Sequence, residues 1–381
     1  MPVPPFALTP PPLARLPMLL LAMLALVVGV LAGLARLAVE VPAFAAGQAG
    51  GHGALMIAAF LGTVISLERA VALARGWPYL APLCAGLGGL ALLSGLPLVA
   101  AQQLFIAAGL VLTAGSLLIV RQQPALHTGT LALGALCWLV GSLAWAISGA
   151  IGPAVPWWMA FLVLTIAGER LELTRFLPTS AAARKTFVSI VGLAGCGLTA
   201  GLWFAPAGLT LLAASLFALA LWLLRHDIAR RTVRQQGLTR YMAVCLLSGY
   251  AWLAWGGLLG LAGGFEAGNP LRDAALHAIF LGFVFSMIFG HAPIIFPAVA
   301  KLRIPYHPAF YLPLAALHLS LLLREIGDLA GLPALVRHAG IGNAAALLLF
   351  ILTMLLSVVR GRRAALNPST GPASRRPREA P

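Results

Sequence analysis

Charge is what this sequence has least of. Asp, Glu, Lys and Arg make up 9% of its 381 residues, against about 25% in soluble domains. A soluble core of this length needs a far larger polar coat, so an ordinary soluble protein is excluded. Cysteine is also sparse. Cys84, Cys137, Cys196 and Cys245 each stand alone inside an apolar run, with no C-x-x-C pair, and read as small buried residues. Walker loops, H-E-x-x-H, G-x-S-x-G and EF-hand elements are all missing. Nucleotide-driven transport by this chain alone is therefore not expected.

What is present is apolar. Hydrophobic residues make up 61% of the chain, and there are 41 glycines. In lipid, small residues let helix backbones approach closely, as in Gly86-Leu87-Gly88-Gly89 and Gly256-Gly257. Apolar runs fall at 16–37, 51–73, 79–99, 102–120, 128–150, 154–169, 186–204, 207–224, 241–263, 274–298, 306–323 and 341–359. A span takes about 20 apolar residues. The expected fold is all-α: a polytopic transmembrane bundle of about twelve helices over residues 14–363. A Pro-rich N-terminus (1–13) precedes it, and a basic tail expected to be disordered (364–381) follows. The first run is longer than a secretory leader's apolar core and has no clear small-residue cleavage site, so it is expected to be retained as a helix.

The formal net charge of +15 could point to nucleic acid, but its placement does not. With the N-terminus inside, only Arg36, Arg272, Arg324 and Arg337 of the 25 Lys and Arg residues fall outside. That asymmetry sets an N-in/C-in orientation and predicts a multi-pass protein of the bacterial inner membrane. The basic loop Arg225–Arg240 then reads as a topological anchor. Lipid is the expected partner, with no nucleic acid.

Titratable groups inside membrane helices are costly and face the bundle interior, which makes the eight histidines informative. His127, His226 and His338 fall at helix edges or loops. His52 starts the second helix, His277 starts the tenth, and His318 lies near the outer end of the eleventh, all at one membrane depth. Imidazole is the common ligand of haem iron and copper, so these three are the candidate metal ligands. His291 follows His277 by 14 residues, which on a regular α-helix is about 21 Å along and within about 40° of the same face. A pair so spaced can ligate two stacked haems, with Leu281, Val284 and Ile288 as an apolar stripe between them. The equivalent position after His52 is Ser66. His307 and His318 also share a face, which leaves a two-metal arrangement open.

Two acid–base pairs end helices at the inner face: Glu68-Arg69, and Glu169-Arg170 followed by Glu172 and Arg175. Their contexts are alike, which fits an ancestral duplication. They read either as ion pairs that pin helix ends or, with His291, as a proton path through Glu68, Glu169 and His291.

The run His52-Gly53-Ala54-Leu55-Met56-Ile57-Ala58-Ala59-Phe60-Leu61-Gly62-Thr63 resembles the second-helix signature of the NnrS family. His277-Ala278-Ile279-Phe280-Leu281-Gly282, reaching Met287, resembles its later His-Ala-x-x-x-Gly helix, and Leu321-Leu322-Leu323-Arg324 its Leu-rich helix ending in Arg. Ala54-Leu55 stands near the place of the family's second histidine and Glu. The resemblance implies a haem- and copper-containing membrane protein tied to nitric oxide metabolism or nitrosative stress. His52, His277 and Arg324 would bind the cofactor, alongside a redox or membrane-complex partner. Arg272 or Arg324 is suited to a propionate or an anionic substrate. Two other readings stand beside this one: a proton-coupled secondary transporter using Glu68, Glu169 and His291, and a non-catalytic membrane assembly subunit.

Overall fold

The structure, a computed structural model, describes residues 10–174, 180–300 and 304–366. Arg175, Lys301, Arg303, most of the Pro-rich N-terminus and residues 367–381 of the expected tail lie outside the described residues.

An apolar run in lipid has no water to satisfy its peptide groups, so each run must close its hydrogen bonds internally as a helix. Among the described residues twelve apolar helices result: α1 (Pro12–Arg36), α2 (Ala54–Leu73), α3 (Trp77–Leu93), α4 (Leu98–Gln122), α5 (Leu126–Ser148), α6 (Gly152–Thr174), α7 (Ala181–Ala200), α8 (Ala205–His226), α9 (Gly237–Gly264), α10 (Arg272–Pro297), α11 (Pro308–Leu329) and α12 (Pro333–Arg362). Eleven of these are long and apolar enough to cross a membrane, and α3 is shorter. Each corresponds to one of the twelve runs. The described residues contain no β-strand. The last helix continues to Leu366, past the expected start of the tail at 364. Proline begins several helices, at Pro12, Pro206 and Pro308, where its missing N–H is not needed.

Helices consecutive in the chain pack as neighbours: α3 on α4, α4 on α5, α5 on α6, α7 on α8, α8 on α9 and α11 on α12. Glycine supplies the close approaches. A Cβ on Gly89 would meet Ala59 of α2 at 2.7 Å, and one on Gly257 would meet the Phe217 backbone of α8 at 2.8 Å. Large apolar side chains such as Leu20, Ile147 and Leu319 point outward, as lipid requires.

Helix α10 joins the parts. It packs against α9 and α11 and touches α1, α2 and α6. Its Ile279, Phe283 and Phe289 are fully buried. Helix α2 opens with a π-helical stretch, Ala54–Leu61, and α10 has one directly after its first α-helical segment Arg272–His277, at Ala278–Val284. Such widened turns take up an additional residue and recur at functional sites. They also correct the sequence reading of α10. The extra residue delays everything after it by about 100°. His291 is thereby turned about 140° from His277 rather than about 40°, so the two do not share the apolar stripe expected for stacked haems.

Candidate functional site

The first turns of α2 and α10 face each other across a cavity of about 570 Å³. That lies within the range of cofactor pockets, about 300–1,000 Å³. Its deeper walls are apolar, from Ile57 and Leu61 of α2, Leu281 and Phe285 of α10, and Leu347 of α12. Its polar end carries His52, His277, Arg36, Arg272, Asp273 and Arg324.

His52 and His277 come together there. Their rings are near-parallel, 17° apart in plane, with centroids separated by 6.4 Å. Each is held the same way. His52 Nδ1 lies 2.7 Å from the Gly29 carbonyl, and His277 Nδ1 lies 2.8 Å from the Asp273 carbonyl. A carbonyl only accepts, so each Nδ1 is the donor, and in the neutral ring each Nε2 keeps its lone pair. Neither Nε2 has a hydrogen-bond partner among the described residues. The Asp273 carboxylate, with Oδ1 at 3.3 Å, further braces the His277 Nδ1. This is the outer-sphere support that metal-binding imidazoles need.

The seat for His52 is built by α1. A Cβ on Gly33 would fall 2.7 Å from His52 Cε1, and one on Gly29 would fall 2.8 Å from Met56 Sδ. Two glycines one helical turn apart thus let the imidazole and the thioether lie flat on the α1 backbone.

The electrostatic balance of the cavity is positive. Arg36 is exposed at its rim, and Arg272 donates to the Phe265 carbonyl. Buried Arg324 places Nε and Nη2 at 2.9 and 2.7 Å from Asp273 Oδ2. Three guanidiniums face one carboxylate, which suits an anionic ligand group. Asn343 of α12 donates to Ser320 Oγ at 2.7 Å, while its buried Oδ1 has no partner. A ligand donor or a water is the natural complement to that oxygen.

The chemistry fits a porphyrin: apolar walls, cations at one end, and two bare imidazole nitrogens. The 6.4 Å ring separation is compatible in length with two imidazoles sharing one metal at about 2 Å per bond. The structure does not extend this to a third ligand. Among the described residues, no three or more His, Cys, Asp or Glu side chains converge as a metal-ion shell. His318, although α10 and α11 do pack together, turns toward α9. Its Nδ1 accepts from Trp252 Nε1 at 2.9 Å, and its Nε2 donates to Ser248 Oγ at 3.0 Å. With both nitrogens engaged, it has no lone pair for a metal, which removes the three-histidine arrangement expected with His52 and His277. His307 is likewise used, accepting from Ala309 N at 3.1 Å as a helix cap.

The other end of the bundle gathers the acid–base pairs. Arg69 of α2 pairs with Glu169 of α6. Arg170 and Asp227 form a buried two-point ion pair, with contacts of 2.8 and 3.1 Å. Tyr250 donates to the same carboxylate at 2.9 Å, and Ala229 N does so at 2.7 Å. His291 donates Nδ1 to the Met287 carbonyl, and its buried Nε2 has no partner among the described residues. Thus Glu169 is bound in an ion pair, while Glu68 makes no hydrogen bond among the described residues. Sequence reasoning missed Asp227 and Tyr250 here, and Asp273, Asn343 and Met56 in the cavity. One signal was available: Asp273 stands four residues before His277, one helical turn away.

Comparison with curated proteins and with solved structures gave no match. Residues 15–359, nearly the whole bundle, match one family described as a domain of unknown function (DUF8744). The chain, with its paired imidazoles between α2 and α10, belongs to that family.

Proposed function

We propose that this protein binds a haem, or a closely similar metal-bearing group, in the cavity between α2 and α10. His52 and His277 would hold it, with Arg272 and Arg324 placed for its acidic substituents. The observation that carries the reading is the matched pair of imidazoles. Two helices distant in sequence each present an imidazole with Nδ1 fixed on a carbonyl and Nε2 without a partner among the described residues, 6.4 Å apart by centroids. A bound haem would supply electron transfer or the binding of a small diatomic gas. The chain's own contribution is orientation of the imidazoles by Gly29 and Asp273, exclusion of water by the apolar walls, and compensation of negative charge by the arginines. The resemblance to the NnrS family supports a link to nitric oxide or nitrosative stress and a redox partner in the membrane. Its copper requirement gains no third ligand from His318. The orientation that goes with this reading is N-in/C-in in a bacterial inner membrane, with the cavity at the outer face.

The test is an absorption spectrum with metal analysis on detergent-purified protein from haem-replete cells. A Soret band lost in both His52→Ala and His277→Ala is expected. A colourless, metal-free wild-type protein contradicts the reading.

A second reading rests on the opposite end. Glu68 and the buried Nε2 of His291, neither with a hydrogen-bond partner among the described residues, suit a proton-coupled transporter. That reading predicts loss of proton-coupled uptake in Glu68→Gln and no visible absorbance in the wild type.

A further inference from the structure

The end of the bundle opposite the cavity carries charge that the chain itself does not balance. Between residues 180 and 240 there are seven Lys and Arg residues and one acid, Asp227. Asp227 is buried and already spent on Arg170, Tyr250 and Ala229 N. Arg184 and Lys185 lie in the opening turns of α7, Arg225 is in the last turn of α8, and Arg240 is in the first turn of α9. Arg230, Arg231 and Arg234 belong to the connection from α8 to α9, the first two in a short helical turn, Ala229–Thr232. All seven are exposed. None of them forms an ion pair among the described residues.

The two stretches make one surface. Trp222 of α8 donates Nε1 to the Ala183 carbonyl of α7 at 3.0 Å and packs on Phe187. This clamps the start of α7 to the end of α8, beside Arg184 and Arg225. The short turn is held by Asp227 on Ala229 N, and Arg230 Nη1 donates to the Arg225 carbonyl at 2.9 Å. One helical turn deeper the surface becomes apolar. Val188, four residues after Arg184, is 54% exposed, and Leu221, four before Arg225, is 49% exposed. Residues four apart lie one above the other on a helix face. These cations therefore stand directly above side chains that face lipid tails, at the level of lipid phosphates.

Topology alone asks for less: the turn from α4 to α5, at the same end of the bundle, has Arg121 as its one cation. Arg184 and Arg240 also sit near helix N-termini, where the dipole disfavours a cation, and an external anion reverses that balance.

We propose that this surface is a binding site for anionic phospholipids, whose phosphates bridge the start of α7, the end of α8 and the turn that follows. Guanidiniums suit the task, because each offers a fork of donors to phosphate oxygens. The occupant is a lipid rather than inorganic phosphate, since Val188 and Leu221 give its tails a place beneath the headgroup. The site is independent of what the cavity holds.

Native mass spectrometry of the full-length protein in detergent tests it, with dioleoyl phosphatidylglycerol and dioleoyl phosphatidylcholine as probes. The two lipids share their acyl chains, so a difference in retention reports the headgroup. The wild type should retain phosphatidylglycerol preferentially. Arg230→Gln, Arg231→Gln and Arg234→Gln combined should weaken that retention by about five-fold for each arginine removed, with helical circular dichroism unchanged. The single variants Arg230→Gln and Arg234→Gln give the same reading should the triple variant not fold. Arg121→Gln should leave the preference intact, and inorganic phosphate should not displace the lipid. Equal retention of both lipids by the wild type, or a preference that survives the triple and single variants, would overturn the site. So would a preference lost equally in Arg121→Gln, or displacement by inorganic phosphate, which would assign the surface to the free anion.

Discussion

An imidazole with Nδ1–H bound to a carbonyl presents its other nitrogen as a fixed lone pair, and a backbone carbonyl is the surest way to fix it, because it cannot donate. His52 and His277 both have this arrangement, and His318 does not. The difference was only half legible in the sequence. Three histidines at one depth could be counted, but not which nitrogen each would spend, since that depends on Trp252 and Ser248 arriving from α9. Asp273 is the residue where the account is most exposed at this scale. It supports His277 and neutralises Arg324 at once. Asp273→Ala should weaken retention of the proposed haem about 10–100-fold, as loss of outer-sphere support does at other metal sites, which a haem-transfer titration into apo-myoglobin would read. Met56 of α2, packed on Gly29 one turn of α1 from the Gly33 seat of His52, was hidden among ordinary apolar residues and carried no signal of its own.

At the scale of the helix, a π-helical stretch decides which way a side chain points. The regular period predicted His277 and His291 on one face. Ala278–Val284 adds a residue to the turn and separates them. No composition rule marks such a stretch in advance, which is why the stacked-haem arrangement was readable from the sequence and still incorrect. The seat of His52 was readable only in outline: small residues at Gly29 and Gly33 promised a close approach, without naming what would approach. Gly33→Val should push the ring off α1, because even a Cβ meets it at 2.7 Å. The expected result is loss of visible absorbance, with helical circular dichroism and gel-filtration elution unchanged. Arg170 and Asp227 set the corresponding test at the other end. Both side chains are almost fully buried, so Asp227→Ala strands a guanidinium in the bundle and should cost about 3–5 kcal/mol, seen as a lowered melting temperature in detergent. The sequence placed Arg170 at a helix end but gave no hint that its partner would be the lone acid in the basic loop after α8.

Across the whole molecule, the pattern of apolar runs was enough for the architecture. Among the described residues the twelve runs became twelve helices, eleven of them of spanning length, because a lipid-facing chain has few alternatives. Which helices meet was not readable, since periodicity says which face is apolar and not which neighbour covers it. The packing of α10 against α2 and α11 is the fact that turns separate histidines into a site. Orientation rests on the basic residues alone. A green fluorescent protein fused after residue 381 should fluoresce, and alkaline phosphatase inserted in the turn at Gly331 should be active. The reverse pattern would move the cavity to the cytoplasmic face.

The most direct measurement is the spin state of the proposed haem in wild-type, His52→Ala and His277→Ala proteins, by absorption and electron paramagnetic resonance, with and without added haem and imidazole. Paired ligation by His52 and His277 predicts a six-coordinate, low-spin signal in the wild type. Either substitution should lose it together with the Soret band, and haem supplied with imidazole should restore both, the imidazole standing in for the missing side chain. A wild-type protein with no such signal after haem-replete expression, or single variants indistinguishable from it, would contradict a shared site between α2 and α10.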